Sequence, residues 1–385
     1  MDRVRRRFIR LAGGGAVLCV GALVPGCQAG MPRETVAAWN GPPDNEADVR
    51  RWALSHALLA PNPHNMQPWI ADIRTPGEIA LHYDLTRSLQ ETDPYYRQLL
   101  IGCGAFVELA AMALRERGIE PSLRWFPQGE FGARPDTRPV AVIALTRKAG
   151  VERDPLFAQV RRRHTNRSPF ESDRPADPDD LAAVAKAASV HGITAQSAGP
   201  GALRDAVVTI ARSAWSVEVS TPRVWQESAM LTRVGADEIR RHRDGISIAD
   251  AMPVIARSIG AYDPRAPLDP GSSAFKRILQ MGSEQAQTAA AWMWLVTEGN
   301  GRTQQVEAGR AYVRLHLEAT ARGLALQPMS QVLQEYPEMA SLQRTFYDTV
   351  KLDPARLTVQ MLARLGYAIP APPSPRRPLE DILRA

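Results

Sequence analysis

Between Ala60 and Trp69 the sequence reads APNPHNMQPW, with three prolines in ten residues. Each proline fixes its own φ and drives the residue before it out of the helical region. The preceding stretch, VRRWALSHALLA, has helical character. The helix must therefore stop here, and the chain must leave in a shaped loop. Asn62 and Asn65 suit turns closed by side-chain-to-backbone bonds. A rigid polar loop beside a scaffold helix often carries function; an ordinary helix-to-strand connection is the alternative reading.

The chain has 385 residues, enough for one large domain or two ordinary ones. Its formal charge is +6, but the first 26 residues hold five Arg and one Asp, which leaves a nearly balanced remainder. That balance gives no reason to expect nucleic-acid binding. The same segment pairs a basic start, MDRVRRRFIR, with a short apolar run, LAGGGAVLCVGALV, and reads as an export signal. Arg5-Arg6-x-Phe8-Ile9-Arg10 resembles the twin-arginine motif RRxFLK, with a general secretory signal as the alternative. The expected partner is the twin-arginine export machinery, and the expected location is the periplasm. Val24-Pro25-Gly26-Cys27 resembles a lipobox; acylation of Cys27 would anchor the chain to a membrane facing the periplasm. Cys103 is the one cysteine beyond Cys27, so a disulfide framework is excluded. It sits in an apolar helix start and reads as a small buried hydrophobe.

Residues 28–47 read as a linker. Helices are expected over Asp48 to Ala60, Tyr96 to Arg117, Pro178 to Ala188, Leu203 to Val219 and Thr303 to Arg322. The segment from Pro155 is expected to run as a helix into a basic turn. Strand character appears in WIADIR, EIALHYDL, SLRWFP, VAVIALTR, near Ile193, in AAAWMWLVTE and in RLTVQMLARLGYAI. Trp292 and Trp294 alternate on one face and read as core. Residues 220–280, polar and arginine-rich, read as a lid-like excursion. The fold class expected is α+β in two halves, 48–150 and 151–385. A faint internal duplication is plausible, without a clean repeat at a fixed period.

Motifs for a nucleotide-binding P-loop, a G-x-S-x-G nucleophile and H-E-x-x-H are absent, and the seven histidines are scattered. No metal cluster is visible from spacing. Two basic clusters remain. Arg161-Arg162-Arg163-His164-Thr165-Asn166-Arg167 places guanidinium forks and a hydroxyl where a helix turns into a loop, which suits a phosphate. Pro375-Arg376-Arg377-Pro378 holds two arginines between prolines. A solvated charge run and a disordered tail are the plain alternatives.

Together these segments resemble the FMN-dependent nitroreductase superfamily. PNPHNMQPW is similar to its PSxxNxQPW loop, RRHTNRSPF to its RRSxRxF start, GLALQPMSQ to its GLGT-type turn, and LGYAIPAPPSPRRPLEDIL to its ending LGYP…RRPLEE. The order, with the QPW loop first and the RRxxR segment second, resembles a fused tandem branch forming a pseudo-dimer in one chain. The resemblance implies that Arg163, His164, Thr165 and Arg167 hold the FMN phosphate, with Arg376 or Arg377 as distal partner. Pro61, Asn62, Pro63, His64 and Asn65 would be donated across the interface, Asn65 meeting the flavin's pyrimidine edge. Gln327, Pro328 and Met329 would lie at the reactive edge, with a backbone N–H near N5. No side-chain acid or base is assigned. Asn62 and Pro63 replace the family's serines, and Pro63 has no N–H to donate.

The implied function is a flavin oxidoreductase using NAD(P)H or another donor to reduce a nitroaromatic, quinone or similar small-molecule acceptor. The alternative is an FMN-storing or sensing protein whose site is occluded by the excursion. Substrate, donor and further oligomerisation stay open.

Overall fold

The computed structural model describes residues 30–384. The export signal and Cys27 expected at the front lie outside the described residues.

Asp48 opens the first helix, α1 (Val49–Ala57), by accepting a hydrogen bond from the Arg50 N–H. Beyond the proline loop come β1 (Trp69–Asp72), β2 (Glu78–Tyr83), the long helix α2 (Arg97–Glu116), β3 (Ile119–Trp125) and β4 (Pro139–Arg147). The second half supplies α3 (Pro178–Ala188) and β5 (Thr194–Ala198). An insertion follows, with α4 (Ala202–Ser220), α5 (Pro222–Met230), β6 (Thr232–Val234), α6 (Ala236–His242), β7 (Ile246–Ile248), α7 (Ala251–Ser258) and α8 (Ser273–Gln287). The chain closes with β8 (Ala291–Glu298), α9 (Arg302–Ala321), β9 (Ala325–Pro328), α10 (Ala340–Val350) and β10 (Leu357–Gly366). The α+β class expected from the sequence is the class observed.

Two antiparallel four-stranded sheets form, in the orders β1-β2-β4-β3 and β5-β8-β10-β9. Counted within its own sheet, each runs first, second, fourth, third. The long helices repeat the correspondence. α2 and α9 each have 20 residues and start at an arginine. At one constant offset, Arg97 matches Arg302, Gly104 matches Gly309 and Gly118 matches Gly323. Gly118 and Gly323 both leave their helix with positive φ, +68° and +71°.

These two helices cross with almost no separation. A Cβ on Gly104 would lie 1.8 Å from the Val306 carbonyl oxygen. One on Gly309 would lie 1.9 Å from the Ile101 oxygen, and Ile101 matches Val306 at the same offset. The contact is thus reciprocal, and only glycine at both positions lets the backbones meet. α2 is long and apolar enough to cross a membrane, yet it is buried in the protein core. Cys103 on it is fully buried, as expected.

Several expectations need correction. Residues 30–47 are no loose linker: Thr35 and Trp39 are buried in two short 3-10 turns. Trp39 Nε1 donates to the Ser374 carbonyl at 2.8 Å, and the Arg376 N–H donates to that of Thr35 at 2.8 Å. The helix expected from Pro155 is a single 3-10 turn, Pro155–Gln159. α10 was not anticipated. The excursion is ordered rather than irregular, with β6 and β7 forming a small parallel pair. Its flanks also join the core: Val207, Ile210 and Ala214 of α4 and Ala286 of α8 cluster with Trp292 and Trp294.

Candidate functional site

The proline loop answers its helix in an unexpected way. His64, Asn65 and Gln67 all take positive φ, +48°, +52° and +51°. Left-handed backbone at three non-glycine residues is costly and persists only where surroundings over-determine it. Asn62 supplies part of that constraint, its Oδ1 accepting from the Gln67 N–H at 2.7 Å. The chain's end supplies more. Asn65 Nδ2 donates to the Pro375 carbonyl at 3.0 Å, and the Arg377 N–H donates to Gln67 Oε1 at 2.8 Å.

Arg376 completes the lock. Its Nε donates to the Leu58 carbonyl and its Nη1 to Asn65 Oδ1, both at 2.7 Å. Arg163 Nη2 donates to the Leu59 carbonyl at 2.7 Å, and its Nη1 contacts His316 Nδ1 at 3.1 Å. Both arginines thus satisfy carbonyls that the end of α1 leaves without helical partners. Burial pushes Arg376 down to about 9 and Arg163 to about 10. Four residues read as ligand contacts are therefore engaged elsewhere: Arg163 and Arg376 cap a helix, Asn65 holds the tail, and Arg377 Nη2 donates to the Asp381 carbonyl. His164 packs edge-on against Trp39 at 4.4 Å. Met329 lies in the core, and its N–H already donates to the Leu362 carbonyl at 2.9 Å.

The other residues singled out converge. Pro61, Asn62, Pro63 and His64 line one wall of a cavity of about 520 Å³. Thr165, Arg167, Gln327 and Pro328 line it as well. A parallel bridge between Thr165 and Leu326 holds the basic turn against β9. Gln327 is braced by Arg364, whose Nε donates to its Oε1 at 2.7 Å.

Arg167 has the most informative surroundings. Its side chain is solvent-accessible and opens onto the cavity, and its guanidinium makes no hydrogen bond or ion pair with protein. The protein mass around the cavity lowers its pKa from the usual arginine value. Nothing nearby offsets the charge. Burial and Arg167 push His64 down to about 4, so it is neutral at pH 7. Glu218, reaching the cavity from α4, is pushed up by burial to about 7. Five buried polar atoms on the lining residues lack partners: His64 Nδ1, Glu218 Oε2, Tyr312 Oη, Gln331 Oε1 and Gln334 Oε1. Buried polar groups are normally paired, so these mark room for a polar ligand. Trp215, Trp225 and Tyr262 of the insertion supply aromatic wall. The arrangement fits a large, planar, partly polar anion, and its volume falls within the range of ligand pockets, ~300–1,000 Å³.

Sequence reasoning did not find Glu218, Tyr312 or the insertion aromatics, which carry no motif. Gly102 was also missed. It lies on α2 where the loop passes, and a Cβ there would be 3.0 Å from Asn62 Cβ. At the offset relating the long helices its counterpart is Glu307. Glu307 instead carries a side chain, which accepts from Trp125 Nε1 and pairs with Arg310 at 3.0 Å. No metal-binding group of side chains occurs among the described residues.

No protein-family model matches the chain. Over 351 residues it is 28% identical to a Mycobacterium tuberculosis H37Rv protein named "Putative NAD(P)H nitroreductase Rv3131", covering 88% of this chain and 92% of that protein. It is 25% identical over 356 residues to "Putative NAD(P)H nitroreductase acg" of the same organism, covering 87% and 95%. The relatives support membership of the nitroreductase family. Among solved structures, an FMN and NADPH-dependent nitroreductase from Sphigopyxis sp. strain HMH aligns with 60% of this chain and 98% of its own, at 15% identity and a TM-score of 0.39.

Proposed function

We propose that this chain is an FMN-dependent oxidoreductase of the nitroreductase type, built as a fused pseudo-dimer with one working flavin site. NAD(P)H is the donor, and a nitroaromatic, quinone or similar small molecule is the acceptor. The full-length relatives support the family. The observation that carries the site is Arg167, whose guanidinium has no protein partner and faces the cavity that the proline loop also lines. A guanidinium with all its donors free and facing a cavity is available to a phosphate, which would take charge-assisted hydrogen bonds from it. Thr165 supplies a hydroxyl beside it.

The lining fits the rest of FMN. Pro61, Pro63, Ile101 and the insertion aromatics offer apolar surface, and the unpartnered polar atoms offer donors and acceptors. When bound, the flavin supplies hydride and electron transfer. The protein's own residues would bind and orient it: Arg167 and Thr165 at its anionic end, and the loop 62–67, left-handed at His64, Asn65 and Gln67, as a shaped edge. Trp225 and Tyr262 of the insertion shield the cavity from water. The relatives named for NAD(P)H support that donor. The sequence features around Arg5, Arg6 and Cys27 support export by the twin-arginine route and a periplasmic or lipid-anchored location.

The insertion's contribution to the cavity wall also favours a second reading, an occluded FMN-storing or sensing protein. One experiment separates the two. The mature protein is purified without added flavin, its visible spectrum recorded, and NADPH or NADH added without oxygen. Flavin bands that bleach establish the reductase; bands that persist favour storage. Absence of bands after incubation with FMN overturns both.

A further inference from the structure

Helix α7 presents the wrong face to water. Pro253 on it is buried, Val254 lies 3.6 Å from where a Cβ on Gly235 would sit, and Arg257 pairs with Glu238 at 2.7 Å. These residues mark the side turned to the protein. With about 3.6 residues per turn, Met252, Ile255 and Ile259 fall together on the opposite side. They are 48%, 44% and 57% exposed. A surface helix ordinarily turns charged residues outward. This outward face bears methionine, isoleucine and alanine and no charge.

A second observation says what covers it. The described chain begins at Gly30, packed so closely on the approach to α7 that a Cβ there would be 2.5 Å from the Ala249 carbonyl oxygen. Cys27 precedes Gly30 by three residues, a reach of at most ~10 Å. The apolar run LAGGGAVLCVGALV lies just before that. A tie at an acylated Cys27, or at the apolar run where it is retained, would join the chain beside α7. Arg33 and Arg241, both exposed, make no ion pair with other side chains, and the turn carrying Arg33 packs on α6, which carries Arg241.

We propose that α7 is a membrane-contacting helix, its Met252–Ile255–Ile259 face resting in the interfacial layer of the bilayer to which the chain is tied ahead of Gly30. Interfacial helices bind in this way, apolar face down and cations toward lipid headgroups. Three side chains make too small a patch for a stable second copy, which needs roughly 800 Å² per partner. Ala261 and Tyr262, just beyond α7, line the cavity, so the same contact brings the cavity's wall to the bilayer surface. The inference stands without any flavin in the site.

The test uses the full chain reconstituted into vesicles of phosphatidylethanolamine and phosphatidylglycerol. Cys19 is replaced by serine, Cys27 is left as the acylation site with labelling of the parent protein setting the background, and an environment-sensitive fluorophore is attached at Ile255→Cys or, as a control in the first half, at Lys148→Cys. Cys103 is buried and stays unlabelled. Spin-labelled lipids are expected to quench the probe at position 255 at least several-fold more than that at 148. Equal quenching, or none at either position, overturns the proposal. A Met252→Ser/Ile255→Ser/Ile259→Ser variant with unchanged thermal unfolding is expected to leave a probe at Ala256→Cys unquenched. If that variant instead abolishes self-association in solution while quenching never appears, the face belongs to a second copy and the proposal fails.

Discussion

At the scale of single residues, two arginines that look alike in sequence do opposite work. Arg167 is solvent-accessible in the cavity without a protein partner, so removing it breaks no contact that holds the fold. Arg167→Ala is expected to weaken FMN binding by about 10- to 100-fold, the worth of a charged hydrogen bond, without lowering the unfolding temperature. Arg376 bonds the loop and the end of α1, so Arg376→Ala is expected to cost about 2–4 kcal/mol of stability. Flavin titration and thermal melts on both variants check the contrast; matching profiles would refute it. Glu218 makes a separate prediction. Burial raises it to about 7 from 4.5, so the folded chain holds this proton more tightly than the unfolded chain. Stability then falls as pH rises from about 4.5 to 7 and stays reduced above. Glu218→Gln is expected to be more stable than the parent by up to ~3 kcal/mol at pH 8 and equal to it at pH 4.5. His64 and His164 act in the opposite sense, each lowered to about 4, but they are common to both proteins and cancel in the difference. A pH-independent difference in denaturant unfolding would remove Glu218 as the cause.

At the scale of elements, the crossing of α2 and α9 is the contact on which both sheets are hung. Gly104→Ala and Gly309→Ala each place a methyl inside 2 Å of a carbonyl oxygen. Each is expected to cost more than ~3 kcal/mol, the scale of overpacking at a site that cannot shift. Because the two glycines share one crossing, once the helices are forced apart the second methyl meets less resistance. The double variant is expected to lose clearly less than the sum of the singles. Chemical denaturation of the three proteins measures this, and simple additivity would argue against a shared contact. Gly118 and Gly323, with open space where a Cβ would go, close their helices through positive φ alone.

At the scale of the molecule, two sheets of identical strand order flank one helix pair, but the cavity forms on one side of it. The proline loop passes Gly102 where the matching residue is Glu307. The fused-dimer reading therefore predicts one FMN per chain. Flavin released by denaturation and measured against protein concentration checks it; a ratio of two would show a second working site. The shared strand order is what the expected duplication would leave, because topology survives divergence that erases sequence. Between the long helices the identities are confined to arginines and glycines at their starts, crossing and ends, too few to stand out along the chain.

The sequence by itself determined the element types over most of the chain, the stop at the proline loop and the burial of Trp292, Trp294 and Cys103; the pairing of loop and basic turn came only from the family resemblance. The first three follow from local rules: proline geometry and apolar periodicity. Tertiary structure alone decided which arginine faces a ligand. Arg163, Arg167 and Arg376 have the same donors, and only the position of the end of α1 commits two of them to its carbonyls and leaves the third free. It also decided that residues 30–47 pack rather than trail, because Trp39 finds its hydrogen-bond acceptor at Ser374, a partner more than 330 residues away.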